Sequence, residues 1–464
     1  MRPKKLTFAI ALLCVSVCLL ALAPAALART ILKGTDDQAL LTLPATERAA
    51  KTHFLAVKLH TQVLRYNVSW KTIEPKRGVY NQAYLDRLAL TVHDAASQGI
   101  KVIITQYGPT PPWASDSSLW KYVPTGFKPG VVHFFYPPAL SRLPDFQAFA
   151  TKLASTLGSD AFGYECWNEP NLWENIYPQR IPSNSEFAVD RYAHMLVAFS
   201  KGIRAGNPDA LVIAGSTAPV GRNNDLSTSP QRFATELKSK VDLSVFDAYS
   251  HHPYTTGGSR DTRPEAAPSY PDITVSLGNI STLLKIFPSK PFYITEYGYY
   301  TTYRMAFGTY VSQVTQAQYL PRAYRFAARY PQIKALVWFP YKDCGPLNPP
   351  ADNGGCYSGL VQTNGVFKLS WYVFSGGNTL TLKATRLSGG SVRLAGKLDS
   401  ASLGGLRGKT IVLYRHTSGH PWTVLKRLTT GSGGVYHMTL KLSRTTYFKA
   451  AWVGVTHSGT IAAR

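Results

Sequence analysis

Cysteine is scarce in this chain, with five residues in 464, and two of them, Cys14 and Cys18, sit in an apolar N-terminal stretch. That scarcity excludes a disulfide-dense scaffold and a cysteine-rich zinc module. Acidic residues are also few, 26 against 50 Lys and Arg, which leaves a formal net charge of +24. No nucleic-acid-binding motif accompanies that charge, so the charge alone does not make a nucleic-acid protein. Beyond the first thirty residues no run is apolar enough to span a bilayer, which excludes a multi-spanning membrane protein. The 45% hydrophobic content excludes a mainly disordered chain, and the length suits two domains better than one.

What is present at the N-terminus has the form of a leader. Arg2, Lys4 and Lys5 precede an apolar run over 6–22, and Ala26-Leu27-Ala28 offers a small-x-small cleavage site before Arg29. Residues 1–28 therefore read as a signal peptide, and the protein as secreted or cell-wall associated. An uncleaved anchor helix is the alternative, because 6–27 approaches spanning length. Neither Cys14 nor Cys18 follows the small residue that a lipidation site requires. In an oxidising compartment Cys344 and Cys356, which bracket a Gly-, Pro- and Asn-rich loop, are candidates for a disulfide, with two free thiols as the alternative. Cys166 reads as strand packing.

Between 30 and 374, short apolar segments alternate with longer helical patterns, which argues for repeated β/α units and a parallel sheet. Candidate strands are 30–33, 63–67, 101–106, 162–167, 210–214, 244–249, 291–295 and 335–339, and the count suits a (β/α)8 TIM barrel over 29–376. Helices over 83–97 and 187–205 end at Gln98-Gly99 and Gly206-Asn207-Pro208. After Ser375-Gly376-Gly377 the pattern changes to short alternating strands at 380–386, 391–398, 409–416, 423–429, 435–440 and 447–453, so 377–464 reads as a small all-β sandwich domain. Thirteen Lys or Arg face one acid, Asp399, over 378–464. Such a module suits an anionic cell-wall polymer or acidic polysaccharide as partner, or reflects a generally basic lineage.

Two segments carry chemistry. Trp167-Asn168-Glu169-Pro170-Asn171 follows the fourth candidate strand, and Ile294-Thr295-Glu296-Tyr297-Gly298 closes the seventh. Glutamates at the ends of two parallel strands face each other across a barrel mouth, as glycosidic cleavage needs. His251-His252 does not read as a metal pair, since neighbours on an extended segment point apart. The sequons at Asn67 and Asn279 are discounted as chance matches.

With these motifs the chain resembles the clan A glycoside hydrolases. Supporting segments fall in order: Arg65-Tyr66-Asn67 with Trp70 and Ile73-Glu74-Pro75, then Thr110-Pro111-Pro112-Trp113, His252-Pro253-Tyr254, and Trp338. The Pro112-Trp113 pair and the context of Glu169 look most like the β-xylosidase and α-L-iduronidase family or the cellulase-like bacterial proteins near it. Gln106-Tyr107-Gly108 stands where many endo-cellulases have a histidine. The sandwich resembles the immunoglobulin-like accessory domains of secreted bacterial enzymes, through Trp422 and Gly434-Val435-Tyr436.

The resemblance implies a retaining glycosidase with Glu169 as acid/base, beginning protonated, and Glu296 as the ionised nucleophile. It implies Asn168 on the sugar 2-hydroxyl. The residues themselves suggest Arg65 as the cation beside Glu296 or as an ordinary structural ion-pair partner, His252 and Tyr254 as orienting Glu296 or touching sugar, and Trp338 as a stacking platform for a pyranose face or as a buried barrel-core indole. The resemblance implies no metal and no organic cofactor. Glu165, four residues back from Glu169, belongs deeper in the barrel, and Glu174 beyond the turn. The alternatives are a cell-wall carbohydrate-binding protein built on a barrel without turnover, and transglycosylation through the same intermediate.

Overall fold

The computed structural model describes residues 30–124, 135–256, 262–302, 310–345 and 356–464. Residues 1–28, expected as a leader, lie outside them. Eight parallel strands close into a barrel in sequence order: β1 (Leu32–Asp36), β2 (Val63–Ser69), β3 (Lys101–Tyr107), β4 (Ala161–Cys166), β5 (Leu211–Thr217), β6 (Ala248–His251), β7 (Phe292–Tyr297) and β8 (Ile333–Trp338). β1 pairs with both β2 and β8, so the barrel has no edge. Helices α1 (Ala45–Val57), α2 (Trp70–Ile73), α3 (Gln82–Ser97), α4 (Leu143–Leu157), α5 (Phe187–Gly206), α6 (Pro230–Lys240), α7 (Ser281–Ile286), α8 (Gln313–Ala327) and α9 (Leu369–Ser375) follow the strands.

Each helix is amphipathic for a local reason. In α3, Leu85, Leu88, Val92 and Ala95 fall three and four residues apart and are buried, while Asn81 caps the start by accepting from the Tyr84 N–H at 3.1 Å. α5 lies hard against α4. A Cβ on Gly202 or Gly206 would collide with the carbonyl oxygens of Gln147 and Thr151, so only glycine permits that approach.

The barrel interior is layered. Val63, Ile103, Ile213, Ala248, Tyr293, Ala335 and Val337 pack its lower part. Two residues further along the strands, the same inward faces carry Arg65, Thr105, Thr295 and, beyond Gly163, Glu165, all fully buried. Period-two alternation thus stacks an ion-pair layer directly on an apolar one.

The sixth strand starts at Ala248 and not at 244. There the Asp242 side chain accepts from the Ser244 N–H at 2.8 Å and folds Leu243–Val245 into a tight turn, a local bond that defeats the strand propensity.

The C-terminal part forms two five-stranded antiparallel sheets in a sandwich-like arrangement. One holds β9 (Asn378–Leu380), β10 (Lys383–Arg386), β11 (Ser391–Ser400), β12 (Gly404–Gly405) and β15 (Val435–Lys441). The other holds β13 (Thr410–His416), β14 (Thr423–Thr429), β16 (Thr446–Trp452), β17 (Thr456–His457) and β18 (Ile461–Ala463). The first expected strand, 380–386, divides into β9 and β10, which pair with opposite ends of β11. Trp452 meets Tyr372 of α9 edge to face at 4.8 Å, and Ser402 Oγ donates to Lys58 O at 2.7 Å, so the sandwich packs on the barrel. Among the described residues no helix is long and apolar enough to cross a membrane.

Candidate active site

Arg65 organises the mouth of the barrel. Its Nε and Nη2 donate to Glu165 Oε2 at 3.0 and 2.9 Å, Nη1 donates to Glu296 Oε1 at 2.6 Å, and Nη2 also reaches Asn168 Oδ1 at 2.8 Å. Glu165 accepts further from Thr105 and Thr295 hydroxyls at 2.6 and 2.7 Å. Burial alone would push the Glu165 carboxyl up, but Arg65, His252 and the surrounding hydroxyls outweigh it and hold it below the usual carboxylate range. Burial also opposes the Arg65 charge, and Glu165, Glu296 and Asp36 overcome that. Asp36, at the end of β1, is pushed up to about 7, chiefly by burial.

The turn after β4 aims Glu169. Trp167 (φ 64°) and Glu169 (φ 42°) both take the left-handed backbone region, as does Ser216 (φ 50°) on the neighbouring strand. Such residues cost on the order of 1–3 kcal/mol each and persist only where surroundings hold them. Here the Glu169 N–H donates to Ser216 O at 2.9 Å, and the fully buried Trp167 indole donates to Asn175 O at 3.0 Å. Asn168 Oδ1 accepts from Arg65 Nη2, which leaves Nδ2 as the donor it can offer a hydroxyl.

Glu296 reaches the mouth through a break in alternation. Thr295 faces inward to Glu165, yet Tyr297 packs in the outer core, and the β7–β8 register shifts between Ile294 and Tyr297. That irregularity turns Glu296 in from the side that strict alternation would give it, and it lies within β7, one residue before its end.

His252 and Tyr254 tie the two glutamates together. His252 Nδ1 lies 3.0 Å from Glu169 Oε1 and 3.7 Å from Glu296 Oε2, while its Nε2 meets Ser216 Oγ at 3.2 Å. Burial would lower the imidazole pKa, but Glu296 and Glu169 outweigh burial and raise it. The Tyr254 hydroxyl donates to Glu296 Oε2 at 3.0 Å. Burial, then Glu296, keeps that phenol well above its usual range, so it remains a donor. His251 turns away as expected, bonded to Thr217 Oγ1 at 2.8 Å and Val275 O at 2.9 Å, and burial drives it to about 3.

Ligand atoms of Glu169, His252 and Glu296 all lie within 4.8 Å of one another, the one cluster among the described residues with metal-ligand geometry. The buried Arg65 guanidinium already supplies positive charge 2.6 Å from Glu296, and the upward shift of the His252 pKa works against ligation, which needs the neutral ring.

Several expected residues land elsewhere. Trp338 is fully buried, its Nε1 donating to Ser358 O at 2.8 Å, so it has no exposed face for a sugar. The ring that lines the cavity at the end of β8 is the adjacent Phe339. Glu74, Trp70 and Trp113 form a supporting cluster: Trp70 Nε1 donates to Glu74 Oε2 at 2.7 Å, Trp113 Nε1 to Glu74 O at 3.2 Å, and the indoles meet edge to face at 5.4 Å. Glu174 is exposed. Cys344 and Cys356 lie side by side, the Cys344 N–H donating to Cys356 O at 2.9 Å and the Cys356 N–H approaching Cys344 Sγ at 2.7 Å.

Asp36, Thr105 and Ser216 went unread in the sequence, and Asn171 was named there without a role of its own. Asp36 opens an Asp-Asp pair that has the look of a surface turn. Asn171 is fully buried and clamps the loop after β4 to the loop after β5.

The family model described as cellulase, glycosyl hydrolase family 5, matches residues 43–339. No curated protein sequence matches the chain. Among solved structures, the GH5_18 protein of Streptomyces cattleya, in complex with GlcNAc, superposes with TM-score 0.53 at 13% identity, over 75% of this chain and 79% of that one. A family 39 glycoside hydrolase from Bacteroides cellulosilyticus WH2 gives TM-score 0.51 at 18% identity, over 89% of this chain and 80% of that one. An exo-β-1,4-mannosidase from Opitutaceae bacterium strain TAV5 gives 0.50 at 16% identity, over 75% and 59%. At these identities the likeness is one of fold. The missing histidine at Gln106 does not take the chain out of the family match.

Proposed function

Because the chain belongs to the cellulase family, glycosyl hydrolase family 5, and is thus a glycosidase, we propose that it is an exported enzyme cleaving β-glycosides with retention, with Glu296 as nucleophile and Glu169 as acid/base. The observation that carries the reading is the placement of the two carboxylates, whose oxygens come within 4.8 Å of each other. Retaining enzymes hold their carboxyl groups about 5–5.5 Å apart, whereas inverting enzymes leave about 6.5–9.5 Å for a water. In the first step Glu296 attacks the anomeric carbon while Glu169 protonates the leaving oxygen. In the second, Glu169 takes a proton from water, which attacks the same carbon and frees Glu296. Arg65 and Tyr254 occupy one oxygen each of Glu296 and so fix its orientation. A barrel without turnover has no need of that arrangement.

The test is the anomer released first. Proton NMR of fresh digests, on a sugar found by screening nitrophenyl β-glycosides, is expected to show the β-anomer before mutarotation. First release of the α-anomer would overturn retention.

Export rests on the N-terminal leader pattern, and export would favour a disulfide between the adjacent Cys344 and Cys356. The basic sandwich supports retention on an anionic wall polymer. Arg415, His420, Lys441 and Arg444 line one cavity of about 370 Å³ there, with no acid among its lining residues. Binding of the full chain to teichoic acid resin is expected to weaken steeply as salt rises from 50 to about 500 mM, since screening shortens the reach of exposed charge. Equal retention by a truncation ending at Gly376 would remove the sandwich from this role.

A further inference from the structure

The cavity over Glu169 and Glu296 has two unlike sides. Its floor carries the two carboxylates and Tyr254, with the fully buried Arg65 and His252 bonded to the carboxylates from behind. The side nearest Glu169 is apolar. Leu172, three residues past Glu169, joins Pro219 and Val220 from the loop after β5 and Ile273 from the loop after β6, with Tyr270 exposed at the rim. Arg222 stands at the exposed outer edge, and Thr274 is buried.

This wall is built, and not a chance meeting of loops. Asn171 is fully buried, its Oδ1 accepting from the Ala218 N–H at 2.8 Å and its Nδ2 donating to Ala218 O and Thr228 O at 3.3 and 3.0 Å. The Val275 N–H donates to Pro219 O at 2.8 Å, and the Gly221 N–H to Ile273 O at 3.0 Å. Loops from three strands are therefore locked together before any ligand arrives, which limits the ordering cost of binding.

Chemistry fixes what lies against such a wall. The bond from the anomeric carbon to the leaving oxygen breaks as the ester bond to Glu296 forms, and the leaving oxygen takes the Glu169 proton and departs as an alcohol. The leaving group must then sit beside Glu169, on the side of Leu172, Pro219, Val220 and Ile273. A sugar there would press hydroxyls onto aliphatic side chains that cannot bond them, whereas an alkyl chain or aryl ring would bury its surface.

We propose that this wall receives an apolar leaving group, so that the enzyme favours β-glycosides of alkyl or aryl alcohols over glycosides of a second sugar. The proposal rests on the reading of Glu169 as general acid, and its test separates the two. A nitrophenyl β-glycoside panel of glucoside, galactoside, mannoside, xyloside and N-acetylglucosaminide first identifies the accepted sugar. The kcat/KM values for its methyl, butyl and hexyl β-glycosides and its β-1,4-linked disaccharide are then compared.

Full burial of a methylene is worth about fourfold, so hexyl is expected to exceed methyl by at least about tenfold, and to exceed the disaccharide. In Val220→Thr, which adds a hydroxyl at nearly constant volume, and in Leu172→Gln, the hexyl-to-methyl ratio is expected to fall at least about threefold. Equal rates on methyl and hexyl, or preference for the disaccharide, would overturn the proposal and leave the glycosidase reading standing. A wild-type preference that both variants retain would overturn the assignment to this wall. Failure to cleave any glycoside in the panel would overturn the function and the proposal together.

Discussion

Glu296→Gln is expected to lower kcat/KM by more than about a thousandfold on any β-glycoside that the wild type cleaves, as loss of an attacking group does elsewhere. Glutamine keeps the shape and can still accept from Tyr254, but it lacks a carboxylate to form the glycosyl ester. Glu169→Ala fails differently. Loss of a general acid costs about 10²–10⁴, and the cost is largest for alkyl leaving groups, smallest for nitrophenolates that depart unprotonated. Azide, which needs no base, is expected to restore turnover in Glu169→Ala and yield a β-glycosyl azide. If neither variant loses at least about a hundredfold, the assignment of the pair is wrong.

Arg65→Met is expected to be the most destabilising single change at the site. It leaves Glu165, fully buried, without its two guanidinium bonds, and Glu296 without its closest cation. Removing one partner of a buried pair costs about 3–5 kcal/mol, because the other charge remains in the interior. Chemical denaturation of Arg65→Met, Glu165→Gln and the double variant measures this, and the double variant is expected to recover part of the loss.

The pH dependence has a definite sign. Glu165 is held low in the folded state, against the opposing effect of burial. Its stabilisation is therefore present above the unfolded carboxylate value and lost as pH falls through the lowered folded value. In Arg65→Met the largest lowering influence is gone and burial is left to push Glu165 up, so that acid-side loss shrinks or reverses, and the deficit relative to wild type is largest at neutral pH and narrows as pH falls. An Arg65→Met protein within about 1 kcal/mol of wild type at neutral pH would show that the ion pair is not what holds the mouth together.

Much of this was legible in the sequence because apolar runs punctuated by Gly and Pro mark barrel strands, and all eight candidates overlap β1 to β8. Glu169 and Glu296 were legible for a second reason, since their flanking residues set the turn and strand end that present them. What escaped depends on contacts distant in sequence. Trp338 looked like a sugar platform because its burial under Ser358 follows from the loop after β8, twenty residues on. Asn171 read as the tail of a motif, whereas its amide spans 47 and 57 residues to Ala218 and Thr228. Asp36 gave no sign of a carboxyl raised to about 7, because burial decides that and burial is a property of the closed barrel.

The most direct test of the central claim is to trap the intermediate. A 2-deoxy-2-fluoro β-glycoside of the accepted sugar with a dinitrophenyl leaving group slows both steps, the second more than the first. Peptide mass mapping after incubation is expected to find one fluorosugar, bound to the peptide that contains Glu296. A label on the Glu169 or Glu165 peptide, or steady release of dinitrophenol with no label anywhere, would contradict the assignment of Glu296 as the nucleophile.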